Sequence, residues 1–213
     1  MTILSIYLQQ SGKVASRDKV YRLLQYCSKL VGHHISDPNL LVKLKQFEGI
    51  LSTSRKTFRL FKTVDMLFGA TQAYLIHDPV LRSLLMLSKL SQAIYFLYDL
   101  LSWSVKAGLV KADAQKLSHR SSQFWAMALL SMLLRDLYEI KMAQRNSGSN
   151  IEQVLEKNPP LVLDLVKNGG DMILALNMLN KITVSKGTVG LAGVVSSLVG
   201  LLQALSPSYK LVP

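Results

Sequence analysis

Apolar positions recur every three or four residues through most of the chain, a period that predicts helices. From Ser16 to Val31, the residues Val20, Leu23, Leu24, Cys27, Leu30 and Val31 share one face, Ser16 is placed to cap the start, and Gly32 is the expected stop. Leu40 to Ala70 resumes the pattern, but its apolar stripe turns between Gly49 and Ser54. Ser54–Phe68 therefore reads as a unit separate from Leu40–Leu51. After the turn His77-Asp78-Pro79, Val80–Val105 is long and apolar, with Arg82, Lys89 and Asp99 as its only charges, and Lys106-Ala107-Gly108 closes it. Phe124–Leu134 is apolar but too short to cross a bilayer alone. Asn146–Asn150 reads as a loop, and Leu161–Ile182 as a helix with Gly169-Gly170 at its centre. The last pattern differs from the others: no charge falls between Lys186 and Lys210, and Thr188–Leu205 as a helix covers about 27 Å, close to the hydrocarbon thickness of a bilayer.

Charge gives the pattern a direction. The chain has 213 residues, 49% of them hydrophobic, and a formal net charge of +12, which calls for an acidic partner such as nucleic acid or anionic lipid. Much of the excess lies early, because residues 1–70 hold eleven Lys/Arg against Asp18, Asp37, Glu48 and Asp65. Within this region Leu51–Phe68 winds into a two-faced rod, with Arg55, Lys56, Arg59 and Lys62 on one side and Phe58, Phe61, Val64 and Phe68 on the other. That arrangement suits a helix lying on an anionic membrane surface, its phenylalanines among lipid tails and its cations among phosphates.

Candidate chemistry narrows the choice. Cys27 is the only cysteine, which leaves no intrachain disulfide and no thiolate metal cluster. His33 and His34 follow a helix end and point apart, so they read as loop residues and not as metal ligands. Asp164, Lys167 and Asp171 recur at helical spacing, where Lys167 offers an ordinary pairing in place of catalysis. Lys89 and Asp99 are ten residues apart, about 15 Å along a helix, so each needs a partner elsewhere or a wet face. No Gly-rich phosphate loop, nucleophile elbow, zinc motif or DNA-reading spacing is present, so the reading is a protein with no catalytic residues, no cofactor, no metal and no nucleic-acid partner. The N-terminus lacks the basic flank and cleavage site of a secretory signal, and the tail matches no Ser-Lys-Leu, Lys-Asp-Glu-Leu or prenylation ending, so any delivery signal is expected to be internal.

Five stretches together carry a resemblance: SRDKVYRLLQY (16–26), SRKTFRLFK (54–62), YFLYDLLSWSVKAGL (95–109), DLVKNGGDMILALNML (164–179) and GTVGLAGVVSSLVGL (187–201). In that order and spacing the chain resembles the peroxin-11 family of peroxisomal membrane proteins. Phe61 departs from the glycine usual before the lysine of the second motif, and the chain is short around Asn146. The resemblance implies a helical integral protein of the peroxisomal membrane that self-associates and elongates it before division by inserting an amphipathic helix in one leaflet. It also implies contact with the fission adaptor and dynamin-like GTPase machinery, and a pore-like role in passing small metabolites is the alternative.

The expectation is an all-α membrane protein of one domain. A basic amphipathic region covers 1–75, an apolar region 80–145 and a linker 146–158, and a C-terminal region over 159–213 carries an anchor at Thr188–Leu205. Arg55, Lys56, Phe58, Arg59, Phe61, Lys62, Val64 and Phe68 are the expected contacts to anionic phospholipid. Ala192, Gly193, Ser196, Ser197 and Gly200 form a small-xxx-small face suited to a homo-oligomer.

Overall fold

Local signals set the helix ends in a computed structural model that describes residues 3–211; the outermost residues of both tails, read above for targeting signals, lie outside it. Helix α1 (Ile3–His34) continues two residues past Gly32, so the expected stop there does not occur. Asp37 caps α2 (Pro38–Phe58) through the amide of Asn39, and Asp78 caps α4 (Pro79–Lys106) through the amides of Val80 and Leu81, each followed by a proline in the first turn. Asp113 caps α5 (Ala114–Ser147), which closes on left-handed Gly148. Helices α6 (Ile151–Lys157), α7 (Pro159–Met178) and α8 (Lys186–Leu205) follow, α6 occupying most of the stretch read as a linker, and the 3-10 turn Pro207–Tyr209 is the last element. The described residues contain helices and no strand, as the periodicity predicts.

The break between α2 and α3 (Lys62–Tyr74) is displaced from its expected place. Gly49 lies inside α2 with open space around it, and the helix runs on to Phe58. The chain turns instead at Arg59–Phe61, where the amides of Arg59, Leu60 and Lys62 bond carbonyls three residues back and the Arg59 Nε donates to the Arg55 carbonyl. The segment Ser54–Phe68, expected to act as one rod, is therefore two helix ends joined by a turn.

Packing closes the helices into a ring. Helix α2 lies on α1, α1 on α8, α8 on α7, α7 on α5, α5 on α4 and α4 on α3, while contact between α2 and α4 completes the circuit. Close approach of α8 to α1 depends on glycine: a Cβ on Gly190 would sit 2.8 Å from the Leu30 Cα, and one on Gly193 would overlap the Tyr26 ring. Gly170 of α7 likewise brings its backbone against the Ala192 carbonyl of α8.

The faces of the ring are inverted relative to a water-soluble bundle, where aliphatic residues turn inward. On α4, Leu87, Leu90, Leu97 and Leu101 face outward while Ser88, Ser91, Asp99 and Ser102 are buried. On α5 the exposed residues are Met127, Leu130, Leu134 and Leu137, with Ser121, Ser131, Arg135 and Asp136 inside. On α8, Leu191, Val195, Leu198 and Leu202 face outward, and Gly193, Ser196, Ser197 and Gln203 inward. An aliphatic exterior of this extent requires lipid as solvent. Among the described residues α4 and α8 are long and apolar enough to cross a bilayer, and together with the inversion they make the chain an all-α membrane protein.

Glycine substitutions separate the packing of the ring from its helix propensities. Gly190→Ala is expected to cost about 1–3 kcal/mol through overpacking against α1, and Gly49→Ala to gain about 0.5–1 kcal/mol because its site is open. Unfolding of the detergent-solubilised protein by a graded denaturing detergent, followed by helical circular dichroism, reads both.

Candidate polar chamber

The inward faces enclose a cleft of about 1310 Å³ to which α1, α2, α3, α4, α5, α7 and α8 all contribute. Its wall is built from ion pairs between helices distant in sequence. Asp18 of α1 accepts from the Arg55 Nε at 3.0 Å and lies 3.6 Å from the Arg59 Nε. Asp99 of α4 lies 3.0 Å from the Lys56 Nζ and 3.3 Å from the Arg59 Nη2. Arg59 also donates to the Tyr95 hydroxyl at 2.7 Å, Arg55 to Gln25 at 2.7 Å, and Lys56 to Ser102 at 3.0 Å. Asp99, left without a partner on its own helix by the sequence, is thus met from the α2–α3 turn.

A second set closes the far side. Arg22 of α1 grips the Asp171 carboxylate of α7 with both terminal nitrogens and donates to Ser196 of α8 at 3.2 Å. Arg135, 1% exposed, reaches Glu139 at 2.7 Å, Asp164 at 3.1 Å and Asp136 at 3.5 Å. Lys167 donates to Asp164 at 2.5 Å and to Gln203 at 2.9 Å. The pairing of Asp164 with Lys167 is as expected, but its setting is the interior and not a helix surface.

Geometry revises the two residue sets expected from sequence. Arg55, Lys56 and Arg59 point into the chamber and are held by Asp18 and Asp99, so they do not lie on the outer surface where headgroups would meet them. Lys62 is half-buried and lines the same cleft. Phe58 packs edge-on against Tyr21 with ring centroids 5.1 Å apart, and Phe68 is half-buried, whereas Phe61 and Val64 are exposed. The small-residue face of α8 is spent inside the chain: Gly193 faces Tyr26, Gly200 faces Lys19, Ser196 faces Gly170, and Ser197 is fully buried. Ala192, half-buried, offers its carbonyl to Gly170. That face is covered by α1 and α7 before any second copy arrives.

At the start of α4, the carboxylate of Asp78 is held below its usual range by the Leu81 amide and the Tyr138 hydroxyl, tying the start of α4 to α5. Among the described residues no group of His, Cys, Asp and Glu is arranged to hold a metal, and His33 and His34 meet edge-on beside α8. Asp18, Arg22 and Arg135 are chamber residues that the sequence reading did not select. The signal available for them was the shared helical register of charges with small polar residues, as in Ser131 with Arg135 or Ser88 and Ser91 with Asp99.

Comparison with known proteins places this architecture. The family model for peroxisomal biogenesis factor 11 (PEX11) matches residues 2–205. Peroxisomal membrane protein 11B of Bos taurus is 30% identical over 255 positions, covering 97% of this chain and 99% of that protein. Peroxisomal membrane protein 11A of Rattus norvegicus is 28% identical, covering 96% and 98%, and the peroxisomal membrane protein 11 homolog of Dictyostelium discoideum is 25% identical, covering 95% and 92%. No solved structure matches the chain.

Breaking the chamber wall at its centre tests its energetic role. Asp18→Asn strips the carboxylate from two guanidiniums and is expected to cost about 3–5 kcal/mol, the usual penalty for orphaning a buried charge. Asp113→Asn, at an exposed cap that asparagine fills equally well, leaves unfolding unchanged in the same assay.

Proposed function

The chain belongs to the peroxisomal biogenesis factor 11 family and is a protein of the peroxisomal membrane, and on that premise we propose that it elongates and curves this membrane ahead of fission. The observation that supports the proposal is an outward apolar face on two helices that do not qualify as spans. Helix α2 exposes Val42, Phe47 and Ile50, and α3 exposes Phe61, Val64 and Leu67. At 13 residues, α3 is about 20 Å long, too short to cross a bilayer. With α4 and α8 crossing the bilayer, α2 and α3 seat their apolar faces in one leaflet, expand it, and favour curvature.

In this mechanism the wedge is hydrophobic and its anchoring cations are Lys43 and Lys45, exposed on α2. Arg55, Lys56 and Arg59 act one step back, fixing the angle of the α2–α3 turn. Self-association concentrates wedges, and with the α8 small-residue face covered, copies meet through outward aliphatic faces. The fission adaptor and dynamin-like GTPase act on the elongated membrane. No catalytic step is part of this role.

A second reading has its own observation. A closed ring of helices around a polar cleft is the architecture of a passage for small hydrophilic solutes.

Substituting serine at Phe61, Val64 and Leu67 together is expected to abolish tubulation of vesicles carrying the full chain while leaving the protein resistant to carbonate extraction. Tubulation equal to wild type in that variant overturns the wedge. Solute flux that survives in the same variant separates passage from remodelling.

A further inference from the structure

The chamber holds more positive charge than it can neutralise. Asp18 serves Arg55 and Arg59, Asp99 serves Lys56 and Arg59, Asp171 serves Arg22, and Asp164 serves Arg135 and Lys167, with Asp136 and Glu139 also on Arg135. Every one of these carboxylates is engaged. Three further lysines, Lys19, Lys62 and Lys89, line the same cleft and make no close ion pair or hydrogen bond among the described residues; Asp171 and Asp18 act on Lys19, and Asp18 and Asp65 on Lys62, only from farther away. The charges that act most strongly on Lys89 are the like charges of Lys167 and Arg135, ahead of the opposite charge of Asp164. The Arg135 Nη2 is buried and has no partner, leaving a guanidinium donor unused beside the cleft.

Two of the unpaired lysines occupy seats made for them. The Lys89 stem crosses Gly69 of α3, where a Cβ would stand 3.3 Å from its Cδ. The Lys19 stem crosses Gly200 of α8 in the same way, at 3.4 Å from Cδ and 3.3 Å from Nζ. Glycine inside a helix costs roughly 0.5–1 kcal/mol relative to alanine. Here it leaves room for stems whose ammonium groups make no close ion pair. Unpaired ammonium groups within a lipid-facing bundle are costly unless an anion joins them.

We propose that the chamber is a binding site for a phosphate group, held by Lys19, Lys62 and Lys89 with the free Nη2 of Arg135. A phosphate monoester carries close to two negative charges and three acceptor oxygens, which ammonium and guanidinium donors lining one cleft can share. A carboxylate brings a single charge and leaves most of the excess in place. The phosphate belongs to a free phosphorylated solute or to an anionic lipid headgroup entering between helices. The site requires neither the wedge nor passage, only the chamber.

The test uses the full chain in nanodiscs of neutral phosphatidylcholine, with pyrophosphate as soluble probe and phosphatidic acid, added to the nanodisc lipid, as headgroup probe. A saturable rise in unfolding temperature is expected with at least one of them. A rise with pyrophosphate assigns a soluble ligand, and a rise with phosphatidic acid alone assigns a headgroup. Lys89→Met and Lys19→Met keep the aliphatic stem and remove the charge. Each is expected to leave the unfolding temperature without probe unchanged or higher, and to weaken probe binding at least tenfold. Lys111→Gln with Lys141→Gln, exposed and outside the cleft, is expected to retain the shift. No saturable shift with either probe, or an undiminished shift in both methionine variants, overturns the site.

Discussion

Arg59 is the joint on which the architecture turns. One guanidinium reaches Asp18 of α1, Asp99 and Tyr95 of α4, and the last turn of its own helix, at the point where the chain breaks between α2 and α3. Arg59 makes those contacts from the residue that caps α2, outside helical geometry, so the side chain that ties α1 to α4 stands where α2 ends. This explains why a glycine ten residues earlier leaves the helix intact. A glycine lowers the cost of a break, but a break occurs where a buried charge gains partners from it.

Because the charges are gathered inward, the exterior is free to be aliphatic. In water, outward rows such as Leu87, Leu90, Leu97 and Leu101 would expose an apolar surface with no compensation, and buried groups such as Arg135 and Asp136 would bring a desolvation cost with no hydrophobic core to offset it. Within a bilayer both features agree, since lipid solvates leucine, and charge is tolerated where it faces other charge or an aqueous cavity. A soluble helical bundle does not fit this distribution.

Helix content, the N-terminal signals at Asp78 and Pro79, the closing Gly108, the 148–150 part of the loop expected at Asn146–Asn150 and the apolar last helix were all legible in the sequence, because each depends on neighbours within a turn or two. The orientation of faces was not. Periodicity reports that Arg55, Lys56 and Arg59 share a side and that Phe58, Phe61, Val64 and Phe68 share another, but not which side meets the solvent, nor that the solvent is lipid. The α8 small-residue stripe shows the same ambiguity. Close packing is what such a stripe indicates, and Leu30 and Tyr26 of α1, some 160 residues earlier in the chain, supply it as well as a second copy would. Pairings such as Arg22 with Asp171 connect the first helix to the seventh, a separation over which local pattern carries no information.

The inversion also changes what the basic character of the chain means. A net charge of +12 suggests a cationic surface seeking an anionic one. Yet a large share of that charge is turned away from the surface, into a chamber whose carboxylates are fewer than its cations. Long-range attraction to a membrane falls off within a Debye length of about 8 Å at physiological salt, and exposed lysines such as Lys43 and Lys45 are enough to supply it. Charge held inside a low-dielectric ring is screened far less, so each unpaired lysine there acts with greater force on whatever enters. The partner that the composition calls for is therefore sought as much within the protein as beneath it, and an anion in the chamber would tie α1, α3, α4 and α5 to one another.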